Sequence, residues 1–213
     1  MKHNLTISSY ALIRKHQVML NGNVFFEDDP ELKMTAFFKN IYKKLGIDYP
    51  KYFKMDALCK LGFLGAEVLV ANNPSYQNFK SEDVGMVFAN ASSSLDTDLK
   101  YQETIENDNN YFPSPSLFVY TLPNIMIGEI SIRHKMSGEN IFIVAPSFDP
   151  QQMYDSVAGL FNLGLVNNVM CAWVDVFKNQ YEALLFFVKK EEKTNESINF
   201  EPESLQKIYF LNR

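Results

Sequence analysis

Six consecutive residues, Val84-Gly85-Met86-Val87-Phe88-Ala89, form an unbroken apolar run. A run this short and this uniformly apolar suits a β-strand covered on both faces. Such a strand needs layers above and below it, so the chain must supply helices as well as strands. The rest of the sequence does so. Asn4–Tyr10 reads as a first strand, and Val18–Phe26 as a second, broken by the tight-turn signal Asn21-Gly22-Asn23. Asp28-Asp29-Pro30-Glu31 carries acidic caps and an early proline, the start signal of a helix. That helix would carry Leu32, Phe37, Phe38, Ile41 and Leu45 and stop near Gly46. The spacing of Leu58, Leu61, Leu64, Val68 and Leu69 predicts a second helix over Asp56–Ala71. On it, Gly62, Gly65 and Ala66 make a small-residue stripe that lets a neighbouring element come close.

After the apolar run comes the polar stretch Ala91–Phe112, with a short helix expected around Thr97–Ile105. A loop this long in a compact domain is often functional or forms an interface. Beyond Leu117–Ile132 and the turn Met136-Ser137-Gly138, Asn140–Ala145 is rich in β-formers. The corner Pro146-Ser147-Phe148-Asp149-Pro150 leads into a helix bearing Met153, Val157, Leu160, Phe161 and Leu163, ending near Gly164. Asn168–Phe177 and Tyr181–Lys189 read as antiparallel strands, Lys189–Glu196 as a solvated charged loop, and Lys207–Leu211 as a final strand. Strands and helices alternate, which argues for an α/β layered fold in one domain over residues 1–213.

Composition narrows the function. Of 213 residues, 46% are hydrophobic and 21% charged, enough for a core without disulfide or metal staples. The net charge of −5, with lysines interleaved among acids and no basic stripe, argues against a nucleic-acid partner. Cys59 and Cys171 stand far apart, the usage of a reduced, cytoplasmic protein. The first residues lack the apolar core of a leader peptide, and no apolar run is long enough to span a bilayer. No glycine-rich phosphate loop and no metal-ligand spacing is present, so no cofactor or metal is expected.

Several segments, in order, resemble the N-terminal half of the β-ketoacyl synthases, condensing enzymes of the thiolase-like superfamily. They are Phe53-Lys54-Met55-Asp56-Ala57-Leu58-Cys59-Lys60-Leu61-Gly62, the apolar strand Val84–Ala89, Leu122-Pro123-Asn124 with Gly128-Glu129-Ile130-Ser131-Ile132-Arg133, and Ser137-Gly138-Glu139-Asn140-Ile141-Phe142-Ile143-Val144. The resemblance spans Tyr52–Val188. It implies a thiolase-like half fold: a mixed, mostly parallel sheet flanked by helices, as in a short stand-alone member that lacks the C-terminal half.

The resemblance also locates the chemistry, and there the chain departs from the family. Such enzymes act through a thiolate at a sharp strand-to-helix turn, where the helix start lowers the thiol pKa and backbone N–H groups form an oxyanion hole. In the matching turn this chain carries Ser147. A serine at a helix start is a poor nucleophile without an adjacent base, and Ser147 reads instead as a cap for the following helix, a role Asp149 could also fill. The family's histidines belong to the missing half. His3, His16 and His134 all read as surface residues, and Cys59 and Cys171 as small buried hydrophobes. Among the aromatic residues Tyr111, Phe112, Phe118 and Tyr120, Phe118 and Tyr120, with Phe148, are the candidates for acyl binding or an interface.

Two related halves enclose the post-nucleophile helix in the full family, so the helix over Pro150–Leu163 would need cover from Asn199–Arg213 or from another subunit. The family also dimerises through the strand matching Ile141–Val144. The resemblance therefore implies a homodimer, or a heterodimer with a full-length ketosynthase, and an acyl carrier protein as a further partner. The expected role is that of a ketosynthase-like subunit of fatty-acid, polyketide or aryl-polyene-type synthesis, inactive alone and akin to a chain-length factor. The alternatives are an acyl-transfer or hydrolytic enzyme using Ser147, or a module that binds acyl groups or acyl carrier proteins.

Overall fold

The computed structural model describes residues 4–73, 76, 78–107, 111–190 and 198–211. Much of Lys189–Glu196, most of the Asn107–Asn110 run, and His3 lie outside them. The first strand, β1 (Leu5–Arg14), turns back into β2 (Gln17–Leu20) and then β3 (Asn23–Glu27). Both turns hold two residues at positive φ, Lys15 (49°) with His16 (58°) and Asn21 (49°) with Gly22 (83°). That backbone matches the twist of antiparallel strands. Helix α1 (Met34–Lys44) starts later than its acidic signal suggests, with Lys33 at the cap and no side-chain cap bond. Asp28 and Asp29 instead build the preceding turn: Asp29 Oδ1 accepts from the Glu31 N–H at 2.9 Å, and Asp28 Oδ2 from Asn40 Nδ2 at 2.8 Å.

A 3₁₀ turn (Pro50–Lys54) leads to α2 (Ala57–Ala71), capped by Asp56 Oδ1 accepting from the Cys59 N–H at 2.8 Å. Strand β4 (Val84–Asn90) is buried along its whole length, as its apolar run requires. There follow α3 (Leu95–Glu103), the single turn α4 (Pro115–Phe118), α5 (Ile125–His134), β5 (Asn140–Val144) and α6 (Pro150–Asn162). The antiparallel pair β6 (Asn168–Phe177) and β7 (Gln180–Lys190) comes next, then β8 (Ile198–Asn199) and α7 (Pro202–Tyr209). The strand expected at Lys207–Leu211 is not formed. Leu205, Ile208 and Tyr209 are buried at helical spacing, and Pro202 opens the helix.

The sheet runs β3-β2-β1-β7-β6-β4-β5, with β8 added alongside β1. It is mixed, as expected, but not mostly parallel. Only β4 pairs in parallel, with β5 on one side and β6 on the other; every other pairing is antiparallel. The N-terminal hairpins and the short β6–β7 turn impose three of the antiparallel pairings, β1–β2, β2–β3 and β6–β7, because a two-residue turn can join only antiparallel strands. Two apolar cores result. One lies between the sheet and α1, α2 and α5; the other lies between the opposite sheet face and α6 and α7. Together they make a three-layer α/β fold.

Of the two covers expected for helix α6, the structure supplies the first: the segment Asn199–Arg213, as Phe200 and α7, packs against it. Met153, Val157, Leu160 and Phe161 face the core, α7 packs beside it, and Gln151, Gln152, Asp155 and Asn162 face outward.

Candidate functional site

Strands β4, β5 and β6 run parallel, so their C-terminal ends gather on one side of the sheet, the usual place for a site in an α/β fold. Beyond β4 the chain folds into a tight polar cradle. Asn90 Oδ1 accepts from the Ser93 N–H at 3.1 Å, and Asn90 Nδ2 donates to the Ser93 carbonyl at 2.8 Å. Ser93 adopts φ of 50° to permit this. Asp175, near the end of β6, fixes the loop from the other side. Its Oδ1 accepts from the Ala91 and Ser92 N–H groups at 3.1 and 2.8 Å, and its Oδ2 from Ser92 Oγ at 3.0 Å. The Ala145 N–H then donates to the Asn90 carbonyl at 2.9 Å, tying the exits of β4 and β5 together.

The corner between β5 and α6 separates its side chains cleanly. Phe148 turns inward against the Trp173 ring at 5.9 Å and the Tyr209 ring at 4.6 Å. Glu182 sits behind them, its Oε1 accepting from Trp173 Nε1 at 2.9 Å and Tyr209 Oη at 2.6 Å. Asp149 caps α6, with Oδ1 accepting from the Gln151 and Gln152 N–H groups at 2.9 and 3.0 Å. Ser147 is exposed, and among the described residues its hydroxyl makes no hydrogen bond. It is therefore not the cap; Asp149 is.

This geometry bears directly on nucleophilic chemistry. A serine attacks only when a base takes its proton, and no base touches Ser147 among the described residues. The helix N-terminus that could stabilise an anion is already taken up by the Asp149 carboxylate. Neither cysteine substitutes. Cys59 is enclosed in α2, its thiol pushed well up by burial and then by Asp56; Cys171 is enclosed in β6, its thiol pushed well up by burial. A thiolate is disfavoured at both sites.

The histidines lie elsewhere and are less exposed than their flanking charges suggest. His134 is enclosed, its side chain 7% exposed, with Nε2 3.4 Å from Glu67 Oε1. His16 packs against the Phe37 and Tyr181 rings at 4.9 and 5.8 Å, its Nε2 2.8 Å from the Leu32 carbonyl. Charged neighbours made both read as surface residues. The backbone instead turns each ring inward, at a hairpin turn and at a helix end.

The three aromatic candidates do not converge. Phe148 belongs to the α6 and α7 core. Tyr120 is enclosed in the opposite core, its Oη donating to Glu129 Oε1 at 3.3 Å, while Lys51 Nζ lies 2.8 Å from Glu129 Oε2. Phe118 is 60% exposed beside the Tyr101 ring at 5.6 Å, and Phe112 is 81% exposed. The segment from α3 to α5 thus presents apolar surface. Asp175 and Glu182, which organise the corner, went unmarked in the sequence. Their signal was present: each is a lone acid within an apolar strand.

No described protein family matches the sequence, and no curated protein matches it. Solved structures do match in shape. The ishigamide ketosynthase/chain length factor superposes with a TM-score of 0.64 at 13% identity, covering 90% of this chain and 63% of that one. A chain of the ketosynthase (ApeO) in complex with its chain length factor (ApeC) from Xenorhabdus doucetiae matches at 0.61 and 15%, covering 99% of this chain and 90% of that one. A type II polyketide synthase acyl-carrier protein in complex with its ketosynthase (AntDE:AntF) supplies a further match at 0.59 and 13%, covering 89% and 63%. The chain therefore spans somewhat under two thirds of the length of two of these three. The chain shares the fold of these ketosynthase and chain length factor structures.

Proposed function

We propose that the protein is a non-catalytic, ketosynthase-like subunit of the chain-length-factor kind, acting beside a condensing enzyme in polyketide, aryl-polyene or fatty-acid-type chain building. The observation that carries this reading is Ser147. It stands at the strand-to-helix corner where a condensing enzyme needs a thiolate, and among the described residues it has neither a base nor a free helix N-terminus. Strand β5 supports the pairing, because it ends the sheet and offers unpaired backbone groups to a second protein. The likeness to a ketosynthase solved with its chain length factor supports the kind of partner. An acyl carrier protein is the further partner of such a pair, and the cytoplasm its site of action.

The test is co-expression of the tagged chain with a full-length ketosynthase from the same genome. A one-to-one complex is expected, with a change in product chain length when this subunit is omitted. Ser147→Ala should leave the product profile unaltered. Absence of any complex, with unaltered products, overturns the pairing. Loss of product in Ser147→Ala overturns the non-catalytic role and favours acyl transfer through Ser147.

A further inference from the structure

We propose that a cleft between α1 and the start of α2 binds a medium-length aliphatic carboxylate. The cleft encloses about 310 Å³, the lower end of the range for small-molecule pockets. Phe38, Tyr52, Phe53, Met55 and Leu117 supply apolar walls, and Lys39, Lys60 and Lys100 add three ammonium groups. Phe53 is 55% exposed although its ring lies only 5.1 Å from that of Tyr42 and 5.4 Å from that of Tyr52. An aromatic wall is thus left open to an apolar tail.

The charges are unbalanced in favour of an anion. Lys100 is held by Asp96, 2.5 Å away. Asp56 is the one acid lining the cleft, and both of its oxygens are occupied. Oδ1 accepts from the Cys59 N–H at 2.8 Å and Oδ2 from Thr97 Oγ1 at 2.7 Å. Among the described residues, neither Lys39 nor Lys60 is in an ion pair. Lys60 is half-buried, its ammonium 5.9 Å from the centre of the Tyr52 ring, and burial lowers its pKa. Asp56 offsets part of the charge at Lys60, yet with one lining acid against three ammonium groups a partly desolvated Lys60 still gains from a carboxylate head group. The apolar slot behind it fits a chain, while the volume and the absence of a backbone phosphate cradle disfavour a nucleotide.

This cleft adjoins the core under α1 and α2. The Ser147 corner belongs to the other sheet face, so the inference stands independently of the subunit reading.

Isothermal titration calorimetry of the full chain with hexanoate, octanoate, decanoate, octan-1-ol and octylammonium tests it. Affinity should rise about fourfold per added methylene until the slot is full. Octan-1-ol and octylammonium should bind at least about tenfold more weakly than octanoate, as expected for loss of a charged hydrogen bond. Lys60→Gln should weaken octanoate about tenfold with an unaltered unfolding temperature. Exposed Lys39→Gln, which leaves the fold untouched, should weaken it less. No binding of decanoate up to about 1 mM overturns the proposal. Equal affinity for octanoate and octan-1-ol, or undiminished octanoate binding in both lysine variants, overturns it equally.

Discussion

His134 ends α5 with its ring enclosed between Glu67 and the Tyr76 ring, 6.1 Å away, while Tyr76 Oη donates to the His134 carbonyl at 2.7 Å. Arg133 Nε donates to the same Glu67 at 2.6 Å and already neutralises it. Burial therefore lowers the His134 pKa despite the nearby carboxylate. A histidine depressed in the folded state binds its proton more readily when unfolded. Its contribution to stability is complete above the ordinary histidine range, near 6.5, and is lost as pH falls below it. Urea unfolding should show stability level between about pH 7 and 8 and falling under mildly acid conditions. In His134→Gln that drop should largely vanish. An identical drop in the variant would assign the acid sensitivity to other groups. Position along the chain could not reveal this, because Lys135 and the neighbouring turn make residue 134 look exposed.

The stripe on α2 shows how far local pattern reaches. Its small residues promised a close neighbour, and the fold supplies two. A Cβ at Gly62 would lie 2.2 Å from Met126 Sδ on α5, and one at Gly65 would lie 2.3 Å from Leu185 Cδ1 on β7. Met126 can yield by rotating its flexible thioether, whereas Leu185 is locked in a strand buried on both faces. Gly65→Ala should therefore cost about 1–3 kcal/mol despite the better helix propensity of alanine, and Gly62→Ala less. Adding Leu185→Val to Gly65→Ala should give less than the sum of the separate losses in thermal unfolding; simple additivity would refute direct contact. Strand and helix periods were legible for β4, β6, β7, α2 and α6. Where an element was misread, the reason is local. Asp28 and Asp29 serve a turn and not a cap, and the last apolar residues obey a helical period that a strand reading of Lys207–Leu211 overlooks.

In the assembled molecule the sheet has two ends, β3 and β5, and they differ in kind. Strand β3 closes a hairpin. β5 is a short parallel strand with β4 on one side only, and its final residue, Val144, is 55% exposed. A lysine at such an edge is the usual protection against pairing. Val144→Lys should thus leave thermal unfolding within about 0.5 kcal/mol of the parent, the norm for surface changes. The same change should weaken association with a copy or a ketosynthase at least about tenfold, measured by light scattering after gel filtration. Undiminished association would place the contact elsewhere, the exposed apolar segment around Phe112 and Phe118 being the next surface to test. By itself, the sequence determined the layered α/β class, the doubly buried central strand, and a sharp strand-to-helix corner at Pro146-Ser147-Phe148-Asp149-Pro150. These depend on the period of apolar residues and on residue identity, both written along the chain. Only the tertiary structure decided that most pairings are antiparallel, that Asp149 and not Ser147 caps α6, and that Asp175 and Glu182 reach across to organise the corner. It alone brought Lys39, Lys60 and Lys100 to one apolar cleft. Those outcomes depend on which distant segments meet, and only long-range packing settles that.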